Sequence, residues 1–169
     1  DFSLPIFIVQ HVSPDSTGFL VKSISEKAKI LIKEADDKEI IQKGTVYFAP
    51  ANYHVLIEPD ESIALSMDEK VNYSRPSIDV LFESAANTYG NTLIGLVLTG
   101  ANSDGALGLK KIQQKRGLTI VQEPLTAEAK TMPKSALNAL KPDYILPLEE
   151  IAPFLNQINQ GLIQLRKVL

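Results

Sequence analysis

Short runs of aliphatic and β-branched residues recur along this chain, separated by stretches with helical periodicity. Pro5-Ile6-Phe7-Ile8-Val9, Leu93 to Leu98 and Leu118 to Gln122 are apolar runs without strict polar alternation. That is the pattern of strands buried on both faces, as in parallel sheets. Between them, Phe19-Leu20, Ile24 and Ala28 fall at helical spacing, with Ser16 or Thr17 available as N-cap. Pro76 suits a first helical residue, and Ile78, Leu81, Phe82, Ala85 and Ala86 make a stripe at i, i+3, i+4, i+7, i+8. Gly90 ends that helix. A further helix is expected from about Gly105 to Arg116, with Gly117 as a left-handed cap.

Ile30 to Ile32 reads as a brief strand, Met132 to Leu140 as a short helix, and Tyr144 to Leu146 as a last strand. Ile151, Phe154, Leu155, Ile158, Leu162 and Leu165 mark a closing amphipathic helix. From Gly44 the texture differs: Thr45-Val46-Tyr47-Phe48, His54 to Ile57 and Ile63 to Leu65 are short runs split by turn residues, read as a small β-meander. The alternation of strand and helix predicts an α/β fold: a three-layer, doubly wound, mostly parallel sheet with that meander inserted. In such sheets ligands bind beyond the C-terminal strand ends. Two ends carry reactive residues: Gln10-His11, and Thr99 to Gly105.

Composition narrows the function classes. At 169 residues the chain has the size of one domain, taken as 1–169, with 44% hydrophobic and 22% charged residues. A net charge of −3 gives no general pull on nucleic acid. No cysteine is present, which removes disulfides, thiolate zinc sites and cysteine nucleophiles. No apolar run reaches the ~18 residues that span a bilayer, and the first residues have no signal-peptide pattern, so a cytoplasmic protein without membrane insertion is expected. The chain opens almost directly on strand-like sequence and without methionine. A missing upstream segment is therefore expected.

Of the two histidines, His11 follows a buried strand, where its intrinsic pKa near ~6.5 would suit a general base. A loop histidine with a structural hydrogen bond is the competing reading. His54 opens an apolar run and is expected to be structural. Two separated histidines without cysteine predict no metal site. The turn Gly100-Ala101-Asn102-Ser103-Asp104-Gly105-Ala106-Leu107-Gly108 lies between a strand and a helix. It is not a P-loop, since Ala106-Leu107 stand where Lys-Ser or Lys-Thr would be needed. A dinucleotide loop is conceivable, with Glu123 ending the next strand as the ribose-binding acid, although the glycine spacing departs from G-x-G-x-x-G. In a third reading Asp104 orients a histidine while turn amides hold an oxyanion. Asp104 would also serve as an ordinary helix cap. Ser103 is rejected as a nucleophile, because adjacent residues can hardly reach opposite nitrogens of one imidazole. No Gly-x-Ser-x-Gly elbow occurs.

Five ordered blocks carry a family resemblance: Ile8-Val9-Gln10-His11, Gly44 to Pro50, Arg75 to Phe82, Leu98 to Ala106, and Met132-Pro133. Together they resemble the catalytic domain of chemotaxis protein-glutamate methylesterases (CheB), over about 5–148. The resemblance implies a doubly wound α/β fold and hydrolysis of glutamyl methyl esters on chemoreceptors, with glutamine deamidation in some members. It implies a Ser-His-Asp triad in which His11 is the histidine and Asp104 the aspartate, with no metal or organic cofactor required. The Ala101 backbone N–H would be an oxyanion donor at a position where the family usually has methionine. The methylated chemoreceptor is the implied partner, with a response-regulator receiver domain as a further one in cis or trans. The family's Gly-Ala-Ser-Thr-Gly-Gly turn, which holds the serine, is absent from these residues. The first strand and helix are accordingly expected to be missing. A non-catalytic receptor-binding module of the same fold and a nucleotide-binding α/β domain are the alternative readings.

Overall fold

A computed structural model of the chain describes residues 2–11 and 14–163. It divides into two compact units, Asp1–Ser77 and Ile78–Leu169.

The first unit holds β1 (Ile6–Ile8), α1 (Pro14–Ser25), β2 (Leu31–Glu34), β3 (Thr45–Phe48), β4 (His54–Ile57) and β5 (Ile63–Ser66). Three strands form a parallel sheet in the order β1-β3-β2, with Ile6 opposite Val46 and Ile32 opposite Val46 on the other side. Thr45 to Phe48 is thus the central strand of a parallel sheet and not the first strand of a meander. Its four residues are all buried, which is why it lacks alternation. Val46 and Phe48 pack with Ile6, Ile8 and Ile32 and with Leu20 and Val21 of α1. On the opposite face Tyr47 stacks on Phe7 at 4.9 Å, and its hydroxyl accepts the Gln42 N–H at 2.9 Å. The expected meander shrinks to the antiparallel hairpin β4–β5.

α1 begins at Pro14, so positions 16 and 17 lie inside the helix and past its N-cap position. Its expected stripe fails at Phe19, which is 77% exposed, while Leu20 and Val21 make the core contact. Lys33 donates to Asp36 and Glu39, which holds its ammonium above the ordinary lysine range. The Ser62 hydroxyl and amide hold Asp60 below the ordinary carboxylate range. The Lys33–Asp36 and Asp60 contacts are exposed and contribute little to stability, while Lys33–Glu39 is partly buried.

The second unit holds α2 (Ile78–Tyr89), a 3-10 turn (Gly90–Thr92), β6 (Ile94–Val97), α3 (Ala106–Gln114), β7 (Leu118–Gln122), α4 (Thr131–Ala139), β8 (Tyr144–Leu146) and α5 (Leu148–Asn159). The strands form a parallel sheet in the order β6-β7-β8. Strand pleating sends Val97 and Val121 to one face, against Leu109 and Ile112 of α3 and Met132 and Ala136 of α4. It sends Leu96, Leu118 and Ile120 to the other, against Phe154, Leu155 and Ile158 of α5. Helices cover both faces, as the alternation of elements predicts. Leu162 is exposed, so it does not extend the α5 stripe, and Leu165 lies outside the described residues.

Gly117 is not the left-handed residue at the end of α3. That conformation falls on Arg116, at φ 66°. Gly117 is required by space: a Cβ there would sit 2.9 Å from the Leu93 carbonyl oxygen and 3.1 Å from that of Gly90. Rigid backbone cannot yield to it. Gly117→Ala is therefore expected to lose about 1–3 kcal/mol by overpacking, with Arg116→Gly neutral or slightly stabilising because it relieves the left-handed side-chain clash. Urea denaturation of both variants checks the pair.

Candidate active site

His11 stands three residues past the end of β1, exposed at the C-terminal edge of the first unit's sheet. His54 is buried at the start of β4. Its Nδ1 accepts the Ser77 N–H at 3.2 Å, so Nε2 carries the proton and donates to the Glu69 carbonyl at 3.1 Å. Both nitrogens serve the scaffold, as expected for a structural histidine.

Ala101 and Asp104 share the turn between β6 and α3, in the second unit. Asp104 is completely buried. It does not cap the helix that follows it, because Gly105, at φ 89°, occupies the N-cap of α3. Its carboxylate caps α2 instead: Oδ2 accepts the Ile78 N–H at 2.7 Å and Oδ1 the Asp79 N–H at 3.1 Å. The Gly105 N–H also donates to Oδ1, at 3.1 Å. Asp79 returns the contact, its Oδ1 accepting the Gly108 N–H of α3 at 2.6 Å. Each of the two helices thus has its N-terminal amides held by a carboxylate from the other's neighbourhood. This explains why α2 begins at Ile78 and not at Pro76: the first amides to be capped are those of Ile78 and Asp79.

The helices approach closely because Gly108 has no side chain. A Cβ there would lie 2.6 Å from Phe82 Cβ and 3.0 Å from Asp79 Cα. In the sequence Asp79 stands inside the Arg75 to Phe82 block with nothing to mark a role of its own. An acid in the first turn of a helix reads as a dipole partner for that same helix, and nothing local announces that its acceptor serves Gly108.

The strand end is fixed from the other side. Thr99 N–H donates to Gln122 Oε1 at 2.8 Å, and Gln122 Nε2 donates to the Thr126 carbonyl at 3.0 Å. Gly100 N–H donates to the Ala129 carbonyl, and Met132 N–H to the Gly100 carbonyl. The Met132 thioether occupies the space that a Cβ on Gly100 would need. Asn102 Oδ1 accepts the Asp104 N–H at 3.0 Å. Ala101 is left exposed, and its amide donates to no acceptor among the described residues. Ser103 is exposed where Asp104 is buried, so neighbouring side chains diverge, in keeping with its rejection as nucleophile.

The dinucleotide reading fails on electrostatics. The Gly105 and Gly108 amides that would meet a pyrophosphate already bind two carboxylates, and Ala106 N–H donates to the Ser103 carbonyl. An anion at the start of α3 would be repelled rather than held. The Glu123 backbone is spoken for on both sides, its N–H donating to the Leu146 carbonyl at 2.7 Å and its carbonyl accepting the Thr126 N–H and hydroxyl.

The family model for CheB methylesterase matches residues 1–155. A putative protein-glutamate methylesterase/protein-glutamine glutaminase of Leptospira interrogans is 52% identical over 165 residues, covering 98% of this chain and 86% of that protein. The chain belongs to the CheB methylesterase family. A Pyrococcus horikoshii protein-glutamate methylesterase/protein-glutamine glutaminase is 35% identical over 154 residues, 89% of this chain but 42% of that protein's length. The crystal structure of the Thermotoga maritima CheB methylesterase catalytic domain superposes with a TM-score of 0.88 at 31% identity, over 93% of this chain and 85% of that one. The α/β fold expected from the sequence is thereby shared with a solved family member. Among the described residues no helix is long and apolar enough to cross a membrane.

The carboxylate exchange makes a stability prediction. Asp79→Ala leaves the buried Gly108 N–H without an acceptor and should lose about 1–3 kcal/mol. Asp104→Ala strips the Ile78 and Asp79 amides together and should lose more. The double variant should lose less than the sum of the singles, because both carboxylates hold one helix pair. Chemical denaturation of the four proteins measures that coupling, and strictly additive losses would separate the two contacts.

Proposed function

We propose that this chain hydrolyses γ-methyl esters of glutamate on chemoreceptors, as a serine-type protein-glutamate methylesterase, with glutamine deamidation as the related reaction. The observation that carries the reading is the Asp104 carboxylate, buried in the turn after β6 and fixed by the Ile78, Asp79 and Gly105 amides. An acid whose task is to orient an imidazole needs this kind of fixation, and a surface cap does not. The 52% identity with the Leptospira protein over nearly the whole chain supports the same activity.

In this mechanism a serine supplied from outside these 169 residues attacks the γ-carbonyl of the ester, and His11 takes its proton. The tetrahedral oxyanion is held by backbone amides, with Ala101 N–H as one donor. One such donor is typically worth ~3 kcal/mol of transition-state stabilisation. The C–O bond to the methoxy group breaks, His11 returns the proton, and methanol leaves. Water then attacks the acyl-enzyme with His11 again as base, releasing the glutamate carboxylate and the serine. Asp104 fixes the imidazole tautomer and stabilises the imidazolium without taking the proton itself. Alanine at position 101 leaves the backbone donor in place and alters only the pocket wall.

The assay is methanol release from methylated receptor, with the 169-residue chain compared against the protein from the full coding sequence. The short chain should be inactive as a serine esterase. In the active protein Asp104→Asn should cost as much as ~10⁴ in kcat, because it favours the wrong tautomer, and some stability as well, because its amide nitrogen would face a backbone N–H that the carboxylate now accepts. His11→Gln should lose about 10³ or more, since proton transfer is lost with it. Variants as fast as the parent would remove both residues from the reaction and favour a receptor-binding module.

A further inference from the structure

The segment 67–75, between β5 and α2, is unused by the chemistry above and holds a conformational anomaly. Val71 and Ser74 exchange backbone hydrogen bonds, at 3.2 and 2.9 Å. The two residues between them, Asn72 and Tyr73, both have positive φ, 51° and 62°. This is a tight turn of the kind that asparagine and glycine occupy readily. Tyrosine at the second position pays a steric cost that glycine would avoid. Packing does not explain its presence, because Tyr73 is 98% exposed. Met67 is 67% exposed in the same segment, and Val71 is partly exposed.

The segment is nonetheless held at both roots. Arg75 Nη1 donates to the Met67 and Asp68 carbonyls at 2.6 and 2.9 Å. His54 holds the Glu69 carbonyl with one ring nitrogen and the Ser77 amide with the other. A costly, exposed aromatic on a fastened turn is a reason to look for a partner.

The chain path places this turn relative to His11. Ala49 N–H donates to the Ile8 carbonyl, so β3 leaves the sheet at the edge where β1 ends. The tight turn 50–53, closed by Tyr53 N–H to the Pro50 carbonyl, leads at once to His54. His54 pairs with Ser66, so segment 67–75 departs from that same end of the hairpin. His11 lies three residues past Ile8 on the same edge.

We propose that Tyr73, with Met67, is a docking element for the receptor protein that carries the methyl ester, an inference that rests on the function proposed above. Aromatic and methionine side chains are the residues enriched in the cores of protein interfaces, and a preset turn lowers the ordering cost of using one. The charges of the segment balance, with Asp68 and Glu69 against Lys70 and Arg75, which offers no footing for a phosphate backbone.

The test uses the protein from the full coding sequence with three substrates or surfaces: methylated receptor in vesicles, a small glutamyl methyl ester, and receptor-free vesicles. Tyr73→Gly keeps the left-handed turn and removes the ring. It should raise KM for the receptor about tenfold with kcat and the small-ester rate within twofold of the parent, and Tyr73→Phe should stay near the parent. Equal loss on the small ester would make the role structural and overturn the inference. An unchanged KM for the receptor would overturn it as well. Ring-dependent binding to receptor-free vesicles would assign the turn to lipid instead, and likewise overturn it. A parent protein that cleaves the small ester but releases no methanol from receptor would overturn the proposed function itself, which separates the two failures.

Discussion

Two buried carboxylates, Asp79 and Asp104, each solvated by backbone amides at the start of a helix, organise the second unit. A carboxylate removed from water is costly unless donors replace its hydration. Here the replacement donors are N–H groups that helix termini leave unpaired in any case. One arrangement therefore satisfies two problems, the orphan amides of α2 and α3 and the charge of the acids. The helix dipoles add to it, since both N-terminal ends favour negative charge. The arrangement works only if the helix ends come close. Gly108 permits this by leaving room for Phe82 and the Asp79 backbone.

The strand end of the same turn is tied by different means. Gln122, buried on β7, spends its amide on Thr99 and Thr126, while Met132 and the Ala129 carbonyl hold Gly100. Between these anchors the chain turns sharply, and Ala101 keeps an amide with no internal acceptor among the described residues. Preorganised donors are worth most when nothing has to move as charge develops. A turn clamped at Gly100 and Asp104 meets that condition for Ala101. In the first unit His54 plays an analogous part as a neutral two-ended clip between Glu69 and Ser77. Of the two histidines in the chain, the buried His54 serves architecture, while His11 stands exposed at the C-terminal edge of the first unit's sheet.

Most elements were legible in the sequence because their signals are local. The run from Leu118 to Gln122 and the short strand at Tyr144 to Leu146 coincide with β7 and β8, and Gly90 does end α2. Where structure and sequence pattern differ, the causes are specific. Thr45 to Phe48 sits among the meander runs in the chain, but its hydrogen-bonding partners, β1 and β2, lie earlier in the sequence. Gly117 has the residue type of a left-handed cap, and its real constraint is two carbonyl oxygens from the β6 approach. Phe19 fits a helical stripe by spacing and is exposed nonetheless, because Val21 is the residue α1 turns to the core.

By itself, the sequence determined the fold class, the residue types at the two strand ends, and the family, since apolar period and ordered motifs are properties of the chain alone. Tertiary structure decided what each polar group does. Asp104 looks in sequence like the cap of the helix it precedes, and in space it caps α2, 26 residues earlier. Asp79 looks like a dipole partner for its own helix and serves Gly108, 29 residues later. Hydrophobic burial accumulates over many residues and leaves a periodic trace that can be read. A hydrogen bond depends on one donor meeting one acceptor within a few tenths of an ångström, and only the packed helices fix that distance.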